Sequence, residues 1–312
     1  PHQWTTARGL SETLTVPTMI DLLIPTAAQG LLWALMAIGV YLTFRVLDVA
    51  DLSVEGTFPL GAAVAATALS ADMGIFAAFI LATITGALAG VVTGLLTTKL
   101  KIPALLAGIL TMIGLYSVNL HVMGKANVSL LRVDTVFTFF TDSLGMNDDI
   151  ATLVVGLIAV LAVGFFLYWF FGTEIGTSLR ATGFNPQMAR AQGINTDTMV
   201  VLGLLISNAL VALTGAFVAQ ANGFADVGMG VGTIVIGLAS VIIGEVLFGS
   251  RSFKNCLISV ILGSIVYRLV IALVLQMGMP PNDLKLFTAV LVAIALSLPL
   301  IRSKIAERKA RA

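Results

Sequence analysis

Nine apolar segments, separated by short polar connections, run through the sequence at about 22–44, 56–71, 74–97, 103–123, 150–171, 198–221, 232–248, 255–275 and 285–301. Most are near the ~20 residues that an α-helix needs to cross the hydrocarbon core of a bilayer. They lack the alternation of apolar and polar residues that marks the strands of a membrane barrel. The second and seventh segments are shorter, which predicts interrupted or tilted helices. We therefore expect an all-α polytopic membrane bundle of about eight or nine transmembrane helices.

The composition supports a membrane protein and excludes several kinds of chemistry. Of 312 residues, 58% are hydrophobic and 11% are charged, whereas soluble domains carry about 25% charged residues. A net charge of +1 gives no basis for a nucleic-acid partner. One cysteine and two histidines provide neither a disulfide nor a metal cluster. No HExxH or GxxxxGK[ST] motif occurs, so we expect no metal, no cofactor and no ATP hydrolysis in this chain.

The charged residues predict which end of the bundle faces the cytoplasm. Arginine and lysine gather at one end, which includes Arg45, Lys99, Lys101, Arg180, Arg190, Arg251, Lys254 and the tail from Arg302 to Arg311. Asp72, Asp142, Asp148, Asp149 and Asp283 belong to the other end, with Lys125, Arg132 and Lys285. Because positively charged loops stay in the cytoplasm, we place the first end inside the cell and the N-terminus outside.

The same patterns divide the chain into three parts. Residues 1–18 are polar and irregular, lack the apolar core of a signal peptide and are given no role in the fold. Residues 19–301 are expected to form one membrane domain. Residues 302–312 are expected to form a basic cytoplasmic tail.

A polar stretch between residues 174 and 197 separates two very apolar halves. Within it, residues 185–193 are typical of a short helix, since Asn185 can cap the N-terminus, Pro186 suits the first turn and Gly193 can end the helix in a left-handed conformation. A helix of two turns is unstable alone in water. It is therefore either a docking element that rests on another surface or an ordinary capped helix in a loop.

A weak internal repeat relates two short motifs on opposite sides of the predicted membrane. Residues 50–57 read ADLSVEGT and residues 225–233 read ADVGMGVGT. Each follows a long apolar segment and precedes a short one. Inverted repeats with interrupted helices are typical of transporters, although small residues also match easily by chance.

Ionisable residues near or within the apolar segments are candidates for a gate or a pathway, because charge is costly in a membrane unless it is solvated or paired. They are Asp51, Glu55, Glu245 and Arg268. The alternative is structural: Asp51 and Glu55 cap the following helix, and Arg268 pairs with a carboxylate such as Glu245. For each of the four residues taken singly, the structural interpretation has slightly more support.

Uncharged and loop residues complete the pathway candidates. Ser53, Asn208 and Asp226 lie on or beside the interrupted segments. Asn119 and Asn208 are also expected to make hydrogen bonds between helices. Gly86, Gly90 and Gly94 recur every four residues, which indicates close packing with another helix.

Five stretches of the sequence resemble permease subunits of ABC importers of the ribose and branched-chain amino-acid type. Residues 51–56 (DLSVEG), followed by LGA at 60–62, are similar to the DLSVG…LGA element of that family. Residues 180–186 (RATGFNP), with AR at 189–190 and GIN at 193–195, resemble its cytoplasmic loop. Residues 101–112 (KIPALLAGILTM), 220–232 and 280–287 resemble the tryptophan/tyrosine-type branch. The resemblance extends from about residue 19 to residue 301.

The resemblance implies an architecture and a set of partners. The chain would be a non-catalytic subunit in a bacterial cytoplasmic (inner) membrane, paired with a second permease copy, cytoplasmic ATPase subunits and an external solute-binding protein, with membrane lipid around it. Arg180, Asn185, Pro186, Arg190 and Gly193 would couple the ATPase to transport. The chain has Gly244-Glu245 where sugar permeases tend to have two glycines, which argues against a sugar and favours an aromatic amino acid or a similar small solute.

Two other classes of function compete with this interpretation. An ion-coupled secondary transporter would use Asp51, Glu55 or Glu245 without an ATPase. An intramembrane enzyme has little support, because no nucleophile–base pair or metal-ligand set is recognisable. The absent Walker loop and the capped helix favour the importer.

Overall fold

A computed structural model describes residues 16–312, which form twelve helices and one two-stranded sheet. The helices are α1 Val16–Tyr41 with a π-helical turn Leu42–Val46, α2 Val54–Ser70, α3 Ile75–Thr98, α4 Ala104–Met123, α5 Val136–Leu144, α6 Asp148–Phe171, α7 Glu174–Phe184, α8 Pro186–Ala191, α9 Thr196–Asn222, α10 Thr233–Phe248, α11 Phe253–Gln276 and α12 Leu284–Arg311, which follows a 3₁₀ turn at Pro281–Asp283. The strands are β1 Asn127–Ser129 and β2 Phe224–Asp226, paired antiparallel. Residues 16–18 belong to α1, and the rest of the predicted irregular segment lies outside the described residues.

All nine predicted apolar segments are helices. Among the described residues, seven helices are long and apolar enough to cross a membrane, namely α1, α3, α4, α6, α9, α11 and α12. The other two, α2 with 17 residues and α10 with 16, are shorter. The predicted polytopic helical bundle is confirmed.

The two short helices begin inside the bundle rather than at its ends. After the π-helical turn, residues 47–53 lead inward without regular structure, and α2 starts at Val54. The residue before it, Ser53, contacts Asn208, which lies near the middle of the 27-residue helix α9. From the opposite end, residues 227–232 lead inward to α10, and Gly232 contacts Glu55. In both segments of the predicted repeat, a non-helical stretch therefore precedes a short helix, and the two stretches enter the bundle from opposite ends.

Helix α9 is the centre of the bundle and packs against α1, α2 and α3. Gly86, Gly90 and Gly94 on α3 face α9, because a side chain at any of them would collide with α9. The predicted close packing is therefore correct, and its partner is α9. Backbones approach closely at glycine, which increases van der Waals contact where lipid supplies no hydrophobic driving force between helices.

The outward faces of the peripheral helices are apolar. Phe76 on α3 is 79% exposed, Phe165 on α6 is 72% exposed and Leu286 on α12 is 69% exposed. Such a belt would be unstable in water and fits contact with lipid chains. The end rich in arginine and lysine, which is predicted to face the cytoplasm, lies at one edge of this belt, and α5, β1 and β2 lie at the other edge.

Candidate functional site

A buried polar cluster stabilises the non-helical segment that precedes α2. Asp51, Ser53, Thr57 and Asn208 are fully buried, at 0% exposure. One carboxylate oxygen of Asp51, Oδ1, accepts hydrogen bonds from the backbone N–H of Ser53 at 3.0 Å and from its hydroxyl. The other, Oδ2, accepts from the Asn208 side-chain amide at 2.9 Å. These four residues form the Asp51–Asn208 cluster.

Asn208 joins the interrupted segment to the central helix. Its Oδ1 accepts hydrogen bonds from Thr57 at 2.7 Å and Ser53 at 3.2 Å, and its amide also donates to the Leu204 carbonyl at 2.9 Å. A buried carboxylate is costly unless it is hydrogen-bonded, and here both oxygens have donors. The predicted interhelical hydrogen bond of Asn208 is confirmed, and the cluster brings three predicted pathway residues together: Asp51, Ser53 and Asn208.

Glu55 lies where the two interrupted helices meet. It is in the first turn of α2, and its Oε1 accepts a hydrogen bond at 3.3 Å from the backbone N–H of Gly232, the residue that precedes α10. The positive N-terminal ends of α2 and α10 are thus close to one carboxylate, an arrangement that stabilises negative charge. The sequence predicts that Glu55 lies at the start of α2. Only the structure shows that the N-terminal end of α10 also contacts it.

A cavity of about 440 Å³ opens beside Glu55. It lies between the first turns of α2, the middle of α4 and residues 227–231. Asn119 of α4 lines it and donates from Nδ2 to the Gly56 carbonyl of α2 at 3.3 Å, so this predicted interhelical hydrogen bond is also confirmed. The cavity therefore adjoins both interrupted segments.

Glu245 forms an ion pair that differs from the predicted one. Its Oε2 lies 3.0 Å from a guanidinium nitrogen of Arg45, and the two side chains are 21% and 49% exposed. The expected partner was Arg268, and that pairing is wrong. Glu245 is near the C-terminal end of α10 and Arg45 is in the π-helical turn that follows α1, so both side chains lie at the end of the bundle that is predicted to face the cytoplasm. An ion pair this exposed contributes at most about 1 kcal/mol.

Arg268 lies inside the bundle without a counter-ion among the described residues. Its guanidinium carbon is 4.4 Å from the centre of the Trp33 ring and 5.8 Å from that of Tyr267. Its Nε and Nη2 atoms are buried and have no hydrogen-bond partner in the described part of the chain. A cation over an aromatic face gains about 2 kcal/mol when desolvated, which offsets only part of the cost of burying it.

Replacing Arg268 by methionine is expected to stabilise the folded protein by about 1 kcal/mol or more, because the variant no longer buries an uncompensated charge. The flexible methionine side chain can fill the space of the arginine stem. Thermal unfolding of the purified protein in detergent measures the change as a higher midpoint. The exposed Arg45→Met serves as the control and should change the midpoint little. A lower midpoint for Arg268→Met would contradict this account.

Asp226 lies apart from the other candidates. It ends β2, and its Oδ1 accepts a hydrogen bond from the Gly228 backbone at 2.9 Å. This stabilises the turn that begins the inward segment 227–232. Within residues 16–312 no group of three or more histidine, cysteine, aspartate or glutamate side chains is placed to hold a metal ion.

The polar stretch that is predicted to be cytoplasmic folds into two helices joined by Asn185. Its side chain caps α8 by accepting a hydrogen bond from the Met188 backbone at 3.1 Å, Pro186 occupies the first turn, and Gly193 has a φ of +85°. The predicted capped helix is confirmed. Ala189 is buried, whereas Arg190 is exposed.

Phe184 is 88% exposed at the end of α7. It is not among the candidate residues predicted from the sequence. Arg180 of the same helix lies over Phe253, with its guanidinium carbon 5.5 Å from the ring centre. The only sequence signal for Phe184 is a large aromatic residue in an otherwise polar loop. The C-terminal end of α7 packs on the chain that enters the membrane, since a side chain at Gly183 would collide with the backbone of Val46 and Leu47.

This architecture defines a class of protein. Among the described residues, a bundle contains seven long helices and two shorter helices interrupted at opposite ends, with polar groups gathered at the interruptions. Non-helical backbone at membrane depth is tolerated where it is buried in protein or lines a cavity, and interrupted helices of this kind are typical of transporters. The fold and the site thus describe a polytopic membrane transport protein.

Comparison with known proteins identifies the family. The chain belongs to the family described as "Branched-chain amino acid transport system / permease component", whose model matches residues 22–296. The protein is accordingly a permease component of a transport system and a multi-pass protein of the bacterial inner membrane.

Individual relatives support this assignment. The chain is 38% identical to a tyrosine transport system permease protein of Clostridioides difficile over 270 residues, 86% of this chain and 88% of the relative. It is 34% identical to an uncharacterized protein of Rickettsia prowazekii over 287 residues, 89% of this chain and 98% of the relative. It is 33% identical to an autoinducer 2 import system permease protein of Yersinia pestis over 183 residues, 58% of this chain and 50% of the relative. No solved structure matches the chain at a significant level.

Proposed function

We propose that the protein is the membrane-spanning subunit of a binding-protein-dependent ABC importer for a small solute, most simply an aromatic amino acid. The family assignment and the tyrosine permease among its relatives support an amino-acid cargo. The observation that carries the importer mechanism is the exposed cytoplasmic segment of α7 and α8, which rests directly on the interrupted part of the chain.

The α7–α8 segment has the features of a docking surface. Phe184, Arg190 and Met188 are exposed on it, whereas Leu179 and Ala189 are buried and anchor it to the bundle. An exposed phenylalanine beside positive charge suits a protein partner. In the proposal the partner is a cytoplasmic ATPase subunit. The residues that contact this subunit or maintain the shape of the docking surface are Arg180, Asn185, Pro186, Arg190 and Gly193.

A short mechanical route leads from this surface to the membrane interior. Movement of α7 acts on Val46 and Leu47, which its C-terminal end contacts. These residues begin the segment that leads to Asp51 and Ser53, so that a displacement reaches the Asp51–Asn208 cluster and α2. ATPase closure at the cytoplasmic face would thereby shift the interrupted helix.

In this proposal two copies of the chain surround the translocation path, with lipid outside. The interrupted helices α2 and α10 contribute Ser53, Glu55 and Glu245 to the path or its gates, together with Asp51, Asn208, Asp226 and Arg268 as supporting candidates. The external binding protein selects the solute, so that the path itself need not bind it tightly. Hydrolysis of ATP takes place in the partner, and this chain remains non-catalytic.

The second candidate function is an ion-coupled secondary transporter. Glu55 is the observation that favours it, since a half-buried carboxylate at membrane depth is a natural ion-binding group. Asp51 fits this role less well, because both of its oxygens already accept hydrogen bonds. The energy source distinguishes the two functions.

The double variant Asn185→Ala with Gly193→Val is expected to abolish ATP-driven uptake and to leave folding in the membrane intact. Loss of the cap costs about 1 kcal/mol, and a β-branched residue resists the left-handed conformation of Gly193, so the docking helix α8 loses its shape. The measurement is uptake of labelled tyrosine by proteoliposomes that contain the chain with its proposed ATPase subunit and binding protein.

Gly124→Val is the matched control, because Gly124 also has a left-handed conformation but lies at the external end of α4. Its uptake should exceed that of the double variant. Normal uptake and normal ATPase association in the double variant would refute the docking role. Uptake that follows a proton gradient without ATP would refute the importer and support the secondary transporter.

A further inference from the structure

We propose that the cavity beside Glu55 binds the primary ammonium group of the transported solute, with Glu55 as its counter-ion and Asn119 as a second acceptor. The inference rests on the proposed transport function and adds a specific binding site within the chain. The cavity of about 440 Å³ is large enough for an amine with an aromatic or aliphatic side chain.

Glu55 has unused hydrogen-bonding capacity toward the cavity. Oε1 accepts a hydrogen bond from Gly232, and the other carboxylate oxygen has no partner among the described residues. Within the described residues, the one ion pair joins Arg45 and Glu245. No lysine, arginine or histidine among them therefore lies within 4.0 Å of the Glu55 carboxylate. An ionised carboxylate with a free oxygen beside a cavity attracts a cation that carries N–H donors.

Asn119 provides an independent sign of a missing donor. It is 1% exposed, and its Oδ1 is buried without a hydrogen-bond partner in the described residues. The orientation of the amide is determined by its other end, because the Gly56 carbonyl can only accept and therefore requires the Nδ2 donor. A buried acceptor left unpaired is costly, so a donor from a bound molecule would satisfy it.

The chemistry of the cavity selects an ammonium over other groups. The free Glu55 oxygen in its wall suits a group with several N–H donors and no lone pair, which describes a primary ammonium. A carboxylate or phosphate would be repelled by Glu55. The rest of the wall includes the exposed ring of Tyr116 and the apolar side chains of Met112, Ile113 and Val231, which suit a hydrocarbon or aromatic portion.

The test is equilibrium binding of three labelled compounds to the purified chain in lipid nanodiscs. Tyrosine and tyramine carry the amino group, and 3-(4-hydroxyphenyl)propionate lacks it. Tyrosine and tyramine should bind, and the propionate should bind at least about tenfold more weakly, because a charge-assisted hydrogen bond is lost. Equal binding of all three compounds, or no binding of tyrosine and tyramine, would overturn the proposal.

Two variants assign the effect to the residues named. Glu55→Gln can still accept a hydrogen bond from Gly232, so it should fold normally and weaken binding of tyramine by about tenfold or more. Asn119→Leu should weaken it less, because a neutral acceptor is removed. The control is Asp72→Asn, an exposed carboxylate at the external end, which should bind as the unmodified chain does. Unchanged tyramine affinity in Glu55→Gln would refute the assignment.

Failure of the proposed ammonium site can be distinguished from failure of the proposed importer function. Binding of amines in nanodiscs needs neither ATP nor a partner subunit. Amine binding without ATP-driven uptake would therefore retain the site and reject the importer. ATP-driven tyrosine uptake that is unaffected by Glu55→Gln, together with unaffected binding, would retain the importer and reject the site.

Discussion

Replacing Asn208 by leucine is expected to lower the free energy of unfolding by about 3 kcal/mol or more. The variant keeps the size of the side chain, but Asp51 Oδ2 loses its donor at 2.9 Å, and Thr57 and Ser53 lose an acceptor. A carboxylate at 0% exposure is then left partly unpaired in a region without water to replace the amide. Thermal or SDS unfolding of the purified protein measures the loss.

The neighbouring residue provides a control for this variant. Ser207 is also fully buried on α9 and donates one neutral hydrogen bond to the Gly39 carbonyl at 2.7 Å. Ser207→Ala should cost only about 1 kcal/mol. The combination of Asn208→Leu with Asp51→Leu should be milder than the sum of the two single variants, since no charge is left behind. Equal effects of Asn208→Leu and Ser207→Ala would show that the carboxylate does not depend on Asn208.

Replacing Gly61 by leucine is expected to prevent stable packing of α2, with a loss of about 3 kcal/mol or more. A Cβ atom at Gly61 would overlap the backbone of Ala212 on α9. Backbone cannot move aside as a flexible side chain can, so the two helices must separate and lose their dispersion contacts. The expected result is little folded protein in the membrane, measured by size-exclusion chromatography of the extracted protein.

Gly114 is the matched control for this substitution. It also lies within a membrane helix, α4, and an added Cβ would have no atom within 4 Å. Gly114→Leu should therefore accumulate and elute as the unmodified protein does. A folded, normally eluting Gly61→Leu would show that α2 and α9 can separate without loss of the fold.

The sequence determined the parts of the fold that depend on local and periodic signals. Hydrophobicity and length located every membrane helix, because a bilayer demands long apolar segments with internally satisfied backbone. Cap chemistry located α8, since Asn185, Pro186 and Gly193 each act within a few residues of chain. The inverted repeat was also visible, because both copies retain similar small residues around the interruption.

Which residues meet across the bundle was decided only by the tertiary structure. The sequence identified Asp51 and Asn208 separately, but their hydrogen bond joins positions 157 residues apart. It offered Glu245 as one carboxylate partner for Arg268, whereas Glu245 contacts Arg45, because the end of α1 and the end of α10 lie at the same end of the bundle. A charge reveals that a partner is required and does not reveal where the chain will place one. The convergence of Glu55, Gly232 and Asn119 likewise depends on two interrupted helices that meet inside the bundle. Their relative position follows from tertiary packing, since α2 packs against α9 whereas α10 packs against α1 and α11.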